Sequence, residues 1–219
     1  MKKKVISNTF NFKEDYKYPF FLISLVLFLF LPSLVQKSIA DLLSKILYFI
    51  LIISSLSLVR SESKLTRLIV YCVGIAGIVL EVINKFVYQL NPTIQAVFMM
   101  LIFMYFIVIF TELLSQIFNS KTITINVVLG AFTGYILIGI IGHYIFRLIF
   151  LLDPSSFAIT SNPTKELIYY TFITLTTIGY GDISPYSEAA RNFAIILGLI
   201  GQFYNTVIIA IIIGKFLQR

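Results

Sequence analysis

Six stretches of this chain, residues 20–35, 42–59, 68–83, 94–114, 123–152 and 193–217, are apolar almost throughout. Each is close to or beyond the length a helix needs to cross hydrocarbon. A segment in lipid must satisfy its peptide groups internally, so runs of this length read as membrane helices. The composition agrees: 58% of the 219 residues are hydrophobic, 12% are charged and the mean hydropathy is +0.94, which excludes an ordinary water-soluble domain.

The charge pattern predicts the orientation. Under a six-span reading, 11 of the 17 basic residues fall on one side: Lys2, Lys3, Lys4, Lys13 and Lys17, then Arg60, Lys64 and Arg67, then Lys121, and finally Lys215 and Arg219. That side is expected to be cytoplasmic, with both termini there. The first run is expected to be a span and not a signal peptide, because its charged leader is long and no small-residue cleavage motif follows. Asp41 and Lys45 have i,i+4 spacing and are expected to pair at the interface. Pro32 falls near the far end of the first run, and Asn91-Pro92 precedes the fourth.

Several function classes fall away. The net charge of +7 comes from scattered residues that form no basic patch with interleaved aromatics, so nucleic acid is not an expected partner. A single cysteine, Cys72, allows no disulfide within the chain, and it is expected to pack in an apolar run. The lone His143 cannot build a multi-ligand metal site within one chain, and the nucleophile-base-orienter pattern of hydrolases finds no convincing partners. No enzyme, no cofactor and no soluble substrate is implied.

Between the fifth and sixth runs lies Thr176-Thr177-Ile178-Gly179-Tyr180-Gly181-Asp182, preceded by TKELIYYTFITL. Gly179 and Gly181 tolerate backbone angles that a side chain would forbid, which allows successive carbonyls to face one way. Asn162-Pro163 predicts a helix start, with Asn162 as cap and Pro163 in the first turn. A short re-entrant helix would then bring its carboxyl end, with its partial negative charge, below the loop.

TTIGYGD after such a helix resembles the pore signature of tetrameric potassium channels, over roughly residues 122–219. The fold class this implies is an all-α membrane protein with six transmembrane helices and a re-entrant pore helix and filter loop between the fifth and sixth. Residues 1–118 would be a four-helix module like an uncharged voltage-sensor domain, and 119–219 the pore domain. The resemblance implies that carbonyls of Thr177, Ile178, Gly179 and Tyr180, with the Thr177 hydroxyl, bind K+. Thr176, Gly181, Asp182, Tyr169, Tyr170 and Thr174 would support the filter. Tyr169 and Tyr170 stand where the family often has a tryptophan pair, and Ile173 where some members have a glutamate.

In the sixth run Gly201, 19 residues after Asp182, sits where the family places a gating hinge, with tight packing as the alternative. Tight packing is the expectation for Gly198 and Gly214. Gly201-Gln202-Phe203-Tyr204 is similar to a segment of many prokaryotic members. Asn205 and Thr206 would face a water-filled cavity or bond between helices. No Lys or Arg lies between Lys85 and Lys121, so the fourth run lacks the charge ladder of voltage sensors and weak or no intrinsic voltage gating is expected. Glu81 and Glu112, near span ends, are either sensors or interfacial groups, and His143, four residues before Arg147, is expected to pack and not to sense pH.

The expected function is passive, potassium-selective conduction through a homotetramer in the plasma membrane, with membrane lipids as the other partner. A transporter or uptake subunit with a filter-like loop is the alternative, although such relatives usually carry four copies of the unit in one chain. With two residues after Leu217, no cytosolic ligand-binding domain is expected.

Overall fold

A computed structural model describes residues 16–59, 68, 71–76, 91–120, 122–159 and 162–217. Among these the regular structure is helical: α1 (Lys17–Phe30), α2 (Lys37–Leu56), α3 (Pro92–Asn119), α4 (Ile125–Leu152), α5 (Pro163–Leu175) and α6 (Glu188–Leu217). Short 3₁₀ turns, Leu31–Ser33 and Pro154–Ser156, follow α1 and α4.

Three of the six expected spans, α3, α4 and α6, are helices long and apolar enough to cross a membrane, and the protein is a membrane protein with several candidate spans. For the first two expected spans the described residues give shorter apolar helices, Lys17–Phe30 and Leu42–Leu56. Pro32 sits in the 3₁₀ turn Leu31–Ser33, which follows α1 after 14 residues, about 21 Å of helix. In α2 the apolar part is Leu42–Leu56, although the helix itself begins at Lys37, so residues 37–41 are helix and not connection. Of the third span only residues 68 and 71–76 are described, and Cys72 is exposed there, facing outward instead of packing into the core. Glu81, the Asp41 side chain, Arg60, Lys64 and Arg67 lie outside the described residues.

Helix ends follow their capping residues and not the apolar boundaries. The Asn91 side chain accepts from the Thr93 N–H at 3.0 Å with Pro92 in the first turn, so α3 starts two residues before its apolar run. Ser187 Oγ accepts from the Ala190 N–H at 3.2 Å, which starts α6 at Glu188, five residues before its apolar run.

α4 is the hub. It packs against α1, α3, α5 and α6, and its buried face carries Gly130, Gly134, Gly139 and Gly142. One hydrophobic cluster runs from Phe21 and Leu25 of α1 through Phe106 and Ile109 of α3 to Leu197 and Ile208 of α6.

Polar contacts fasten one end of the bundle. Gln116 Oε1 accepts from Lys17 Nζ at 2.6 Å and Tyr18 Oη at 3.0 Å, while Gln116 Nε2 donates to the Leu58 carbonyl at 2.7 Å. Lys215 Nζ, in the last turn of α6, donates to the carbonyls of Phe118 at 2.8 Å and Ser120 at 2.7 Å, at the far end of α3. A cation there complements the carbonyl end of α3. The start of α1, the chain just past α2 and the ends of α3 and α6 therefore share one side, as alternating passage demands.

Replacing Gln116 with leucine removes an acceptor of Lys17 and the donor to the Leu58 carbonyl together. The expected loss is on the order of 1–3 kcal/mol, read as an earlier thermal transition of the detergent-solubilised protein. Lys17→Met combined with Gln116→Leu should recover part of it.

Candidate functional site

The site is a loop hung from the end of a short helix. α5 begins where its residues predict: the Asn162 side chain accepts from the N–H groups of Thr164 at 3.1 Å and Lys165 at 3.3 Å, and Pro163 needs no partner there. Its 13 residues extend about 20 Å, too short to span hydrocarbon of about 30 Å. It ends inside the protein, where its last carbonyls need partners.

Each of the last four has one. The Phe172 carbonyl accepts from the Thr176 N–H at 3.0 Å and from Thr176 Oγ1 at 2.7 Å. The Thr174 carbonyl accepts from the Thr177 N–H at 3.0 Å, and the Leu175 carbonyl accepts from Tyr135 Oη of α4, also at 3.0 Å. The Ile173 carbonyl takes two donors, the N–H of Ile178 at 2.9 Å and that of Gly179 at 3.1 Å.

This arrangement orients the loop. In a trans peptide the carbonyl points opposite to the N–H of the next residue, and the described residues contain no cis bond. With the N–H groups of Thr177, Ile178 and Gly179 turned toward α5, the carbonyls of Thr176, Thr177 and Ile178 face the opposite side.

Backbone angles continue the pattern. Thr177, Gly179 and Gly181 have φ of 60°, 53° and 81°, and the residues between them have negative φ. Alternation of this kind turns successive peptide groups the same way. At Gly179 and Gly181 a Cβ would meet nothing within 4 Å, so glycine is required there by the backbone angle and not by space. Thr177 is β-branched at positive φ, a strain on the order of 1–3 kcal/mol.

Tyr169 Oη donates to Asp182 Oδ2 at 2.7 Å, tying the far end of the loop to the second turn of α5. That bond holds the Tyr169 phenol above its usual pKa, with burial as a smaller cause. Tyr170 lies elsewhere, in an aromatic cluster with Phe146 of α4, whose ring centroid is 5.0 Å away, and Phe157 at 5.2 Å. Phe146 also meets Phe193 of α6 at 4.8 Å. Thr174 contributes its carbonyl to the loop, and Tyr180 stands 71% exposed on the single chain.

On α6, Gly201 lies against the end of α5. A Cβ there would stand 2.8 Å from the Leu175 carbonyl oxygen, so α6 touches the end of α5 through a residue without a side chain. The helix passes through Gly201 unbroken. At Gly198 and Gly214, expected to pack, a Cβ would meet nothing within 4 Å among the described residues, because they lie off the buried face of α6. Thr206 is exposed and its hydroxyl donates back to the Gln202 carbonyl at 2.9 Å, while Asn205 is half-buried.

Three contributors were not singled out by their sequence. Tyr204 is buried and donates to the Ala131 carbonyl of α4 at 2.8 Å. Tyr135 and Lys215 complete carbonyl ends of other helices, α5 and α3. Only the GQFY segment gave a signal, and only for Tyr204. His143 is buried on α4, 5% exposed, with Nδ1 unpartnered among the described residues. Glu112 is half-buried in α3.

Residues 122–218 match the model of a family described as an ion channel. Among curated proteins, the chain is 29% identical over 93 residues to a two-pore potassium channel 2 of Arabidopsis thaliana, covering 42% of this chain and 19% of that protein. It is 43% identical over 51 residues to a two pore potassium channel c of Oryza sativa subsp. japonica, covering 22% of this chain and 11% of that protein. The chain thus spans well under a quarter of the length of these relatives. No solved structure matches. The matched family is one of ion channels and not of enzymes, in agreement with the sequence reading.

Gly201→Ala should lower stability by about 1–3 kcal/mol through overpacking against the Leu175 carbonyl. Gly214→Ala, in open space within a helix, should be neutral or stabilising by up to about 1 kcal/mol. Thermal unfolding of the two purified variants checks the contrast.

Proposed function

We propose that this chain, whose residues 122–218 form an ion-channel pore domain, is one subunit of a homotetrameric potassium-selective channel of the plasma membrane. One chain supplies one filter strand, and four around an axis would surround an ion with oxygen. The carbonyls of Thr177, Ile178, Gly179 and Tyr180, with the Thr177 hydroxyl, are the groups assigned to K+ in place of its water. Similarity to potassium channels of two plants supports that choice of ion.

The observation that carries the reading is the pair of hydrogen bonds that the Ile173 carbonyl accepts from Ile178 and Gly179. It turns the N–H groups of the loop away from the proposed ion path and leaves the oxygens facing it. Thr176, Gly181, Asp182, Tyr169 and Thr174 hold the strand through the helix end and the Tyr169–Asp182 bond. Tyr170 acts through the aromatic cluster that fixes α5 against α4. Exposed apolar side chains on α6, such as Leu199 and Phe203 at 66% and 72%, suit subunit contacts and lipid.

Residues 1–118 are proposed as a separate membrane module without an intrinsic voltage sensor, since no basic residue lies in α3. With the basic side inward, both termini are cytoplasmic. Gly201 serves close packing of α6 on α5, and a hinge there would have to open that contact. Asn205 and Thr206 are cavity candidates.

Protein reconstituted in planar bilayers under a K+ gradient opposed by Na+ should give unitary currents that reverse near the potassium potential and depend weakly on voltage. Coupled electroneutral flux would contradict the proposal. Gly179→Ala should assemble and yet lose K+ current, because alanine resists the positive φ. Tyr169→Phe should conduct with reduced K+ over Na+ selectivity.

A further inference from the structure

Arg147 lies five residues before the end of α4, about 7.5 Å along the helix axis, and is half-buried. Among the described residues nothing pairs with its guanidinium. A cation at that depth is costly until water, protein or a headgroup satisfies it, and such residues are functional suspects.

It lines a cavity of about 240 Å³ between three helices. From α3 come Gln95 and Met99, from α4 Phe150 and Leu151 beside Arg147, and from the start of α5 Thr164 and Leu167. Among the described lining residues there is no carboxylate, and Arg147 is the one charged group. The amino end of α5 adds no free donor, since Asn162 already holds the N–H groups of Thr164 and Lys165. Selection for an anion therefore rests on the guanidinium, whose planar fork suits a phosphate. Most of the remaining lining is apolar, from Met99, Phe150, Leu151, Pro154 and Leu167. A free anion has no use for that surface, whereas an acyl chain does.

We propose that this crevice binds an anionic phospholipid, its phosphate held by Arg147 and an acyl chain laid over Met99 and Phe150. The inference rests on the membrane reading of α3 and α4 and not on ion selectivity. A bound lipid would brace the amino end of α5 against α3 and α4, opposite to the end that carries the loop.

The chain contains no tryptophan, so one introduced beside the crevice reports on it alone. Phe150→Trp protein, reconstituted in vesicles of brominated phosphatidylglycerol mixed with phosphatidylcholine, should reach half-maximal quenching at a mole fraction about fivefold lower than with brominated phosphatidylcholine, as expected for one basic residue near an anionic headgroup. Adding Arg147→Gln should abolish the preference, and adding Arg147→Lys should keep part of it. Leu151→Trp repeats the measurement from the neighbouring position should Phe150→Trp fail to fold. Equal quenching by the two lipids, or a preference that survives Arg147→Gln, overturns the proposal. Loss of the preference on adding inorganic phosphate would identify a free ion as the occupant and overturn the lipid assignment. Because the readout is fluorescence, the result stands apart from whether the protein conducts potassium.

Discussion

One carbonyl, that of Ile173, accepts the N–H groups of both Ile178 and Gly179, and the loop depends on it. A helix must find partners for its last carbonyls when it ends away from water. Here the chain that follows folds back and supplies three of the four sets of donors, with Tyr135 of α4 supplying the fourth. Satisfying the helix end and orienting the loop are thus the same act. The oxygens left over face the other way.

The rest of the pore region keeps that helix end in place. α6 reaches the Leu175 carbonyl only because Gly201 has no side chain. Tyr204, one turn further on, ties α6 to α4 through the Ala131 carbonyl. At the other end of the loop the Tyr169–Asp182 bond closes the strand back onto α5, and the Phe157–Pro185 bridge holds the chain entering α5 beside the chain leaving the loop. Two kinds of glycine serve here for different reasons. Gly179 and Gly181 are needed for their backbone angles in open space, and Gly201 for proximity at an ordinary helical angle.

The local features were legible because their causes are local. Asn162-Pro163 writes its own helix start, and Gly-Tyr-Gly announces an unusual backbone. Apolar runs located α3, α4 and α6 but missed their true starts, since hydropathy does not see that Ser187 or Asn91 caps a helix from outside the run. Gly201 stood between hinge and packing contact until its neighbour was known, and that neighbour is 26 positions away in sequence. Gln116 gave no signal and Lys215 only one of orientation, because their value lies in carbonyls that only the folded bundle brings within reach. Tyr170 shares a helix face with neither Tyr169 nor the loop, and adjacency in sequence did not reveal the aromatic cluster it joins.

The central claim is that oxygens of the loop, turned outward by the anchored N–H groups, take the place of water around a monovalent cation. Anomalous diffraction from crystals of the assembled protein grown in rubidium tests it most directly. The account predicts a column of anomalous peaks on a fourfold axis, level with the carbonyls of Thr177 through Tyr180. An occupied lattice with no peaks beside those oxygens, or peaks lying off any shared axis, would contradict it.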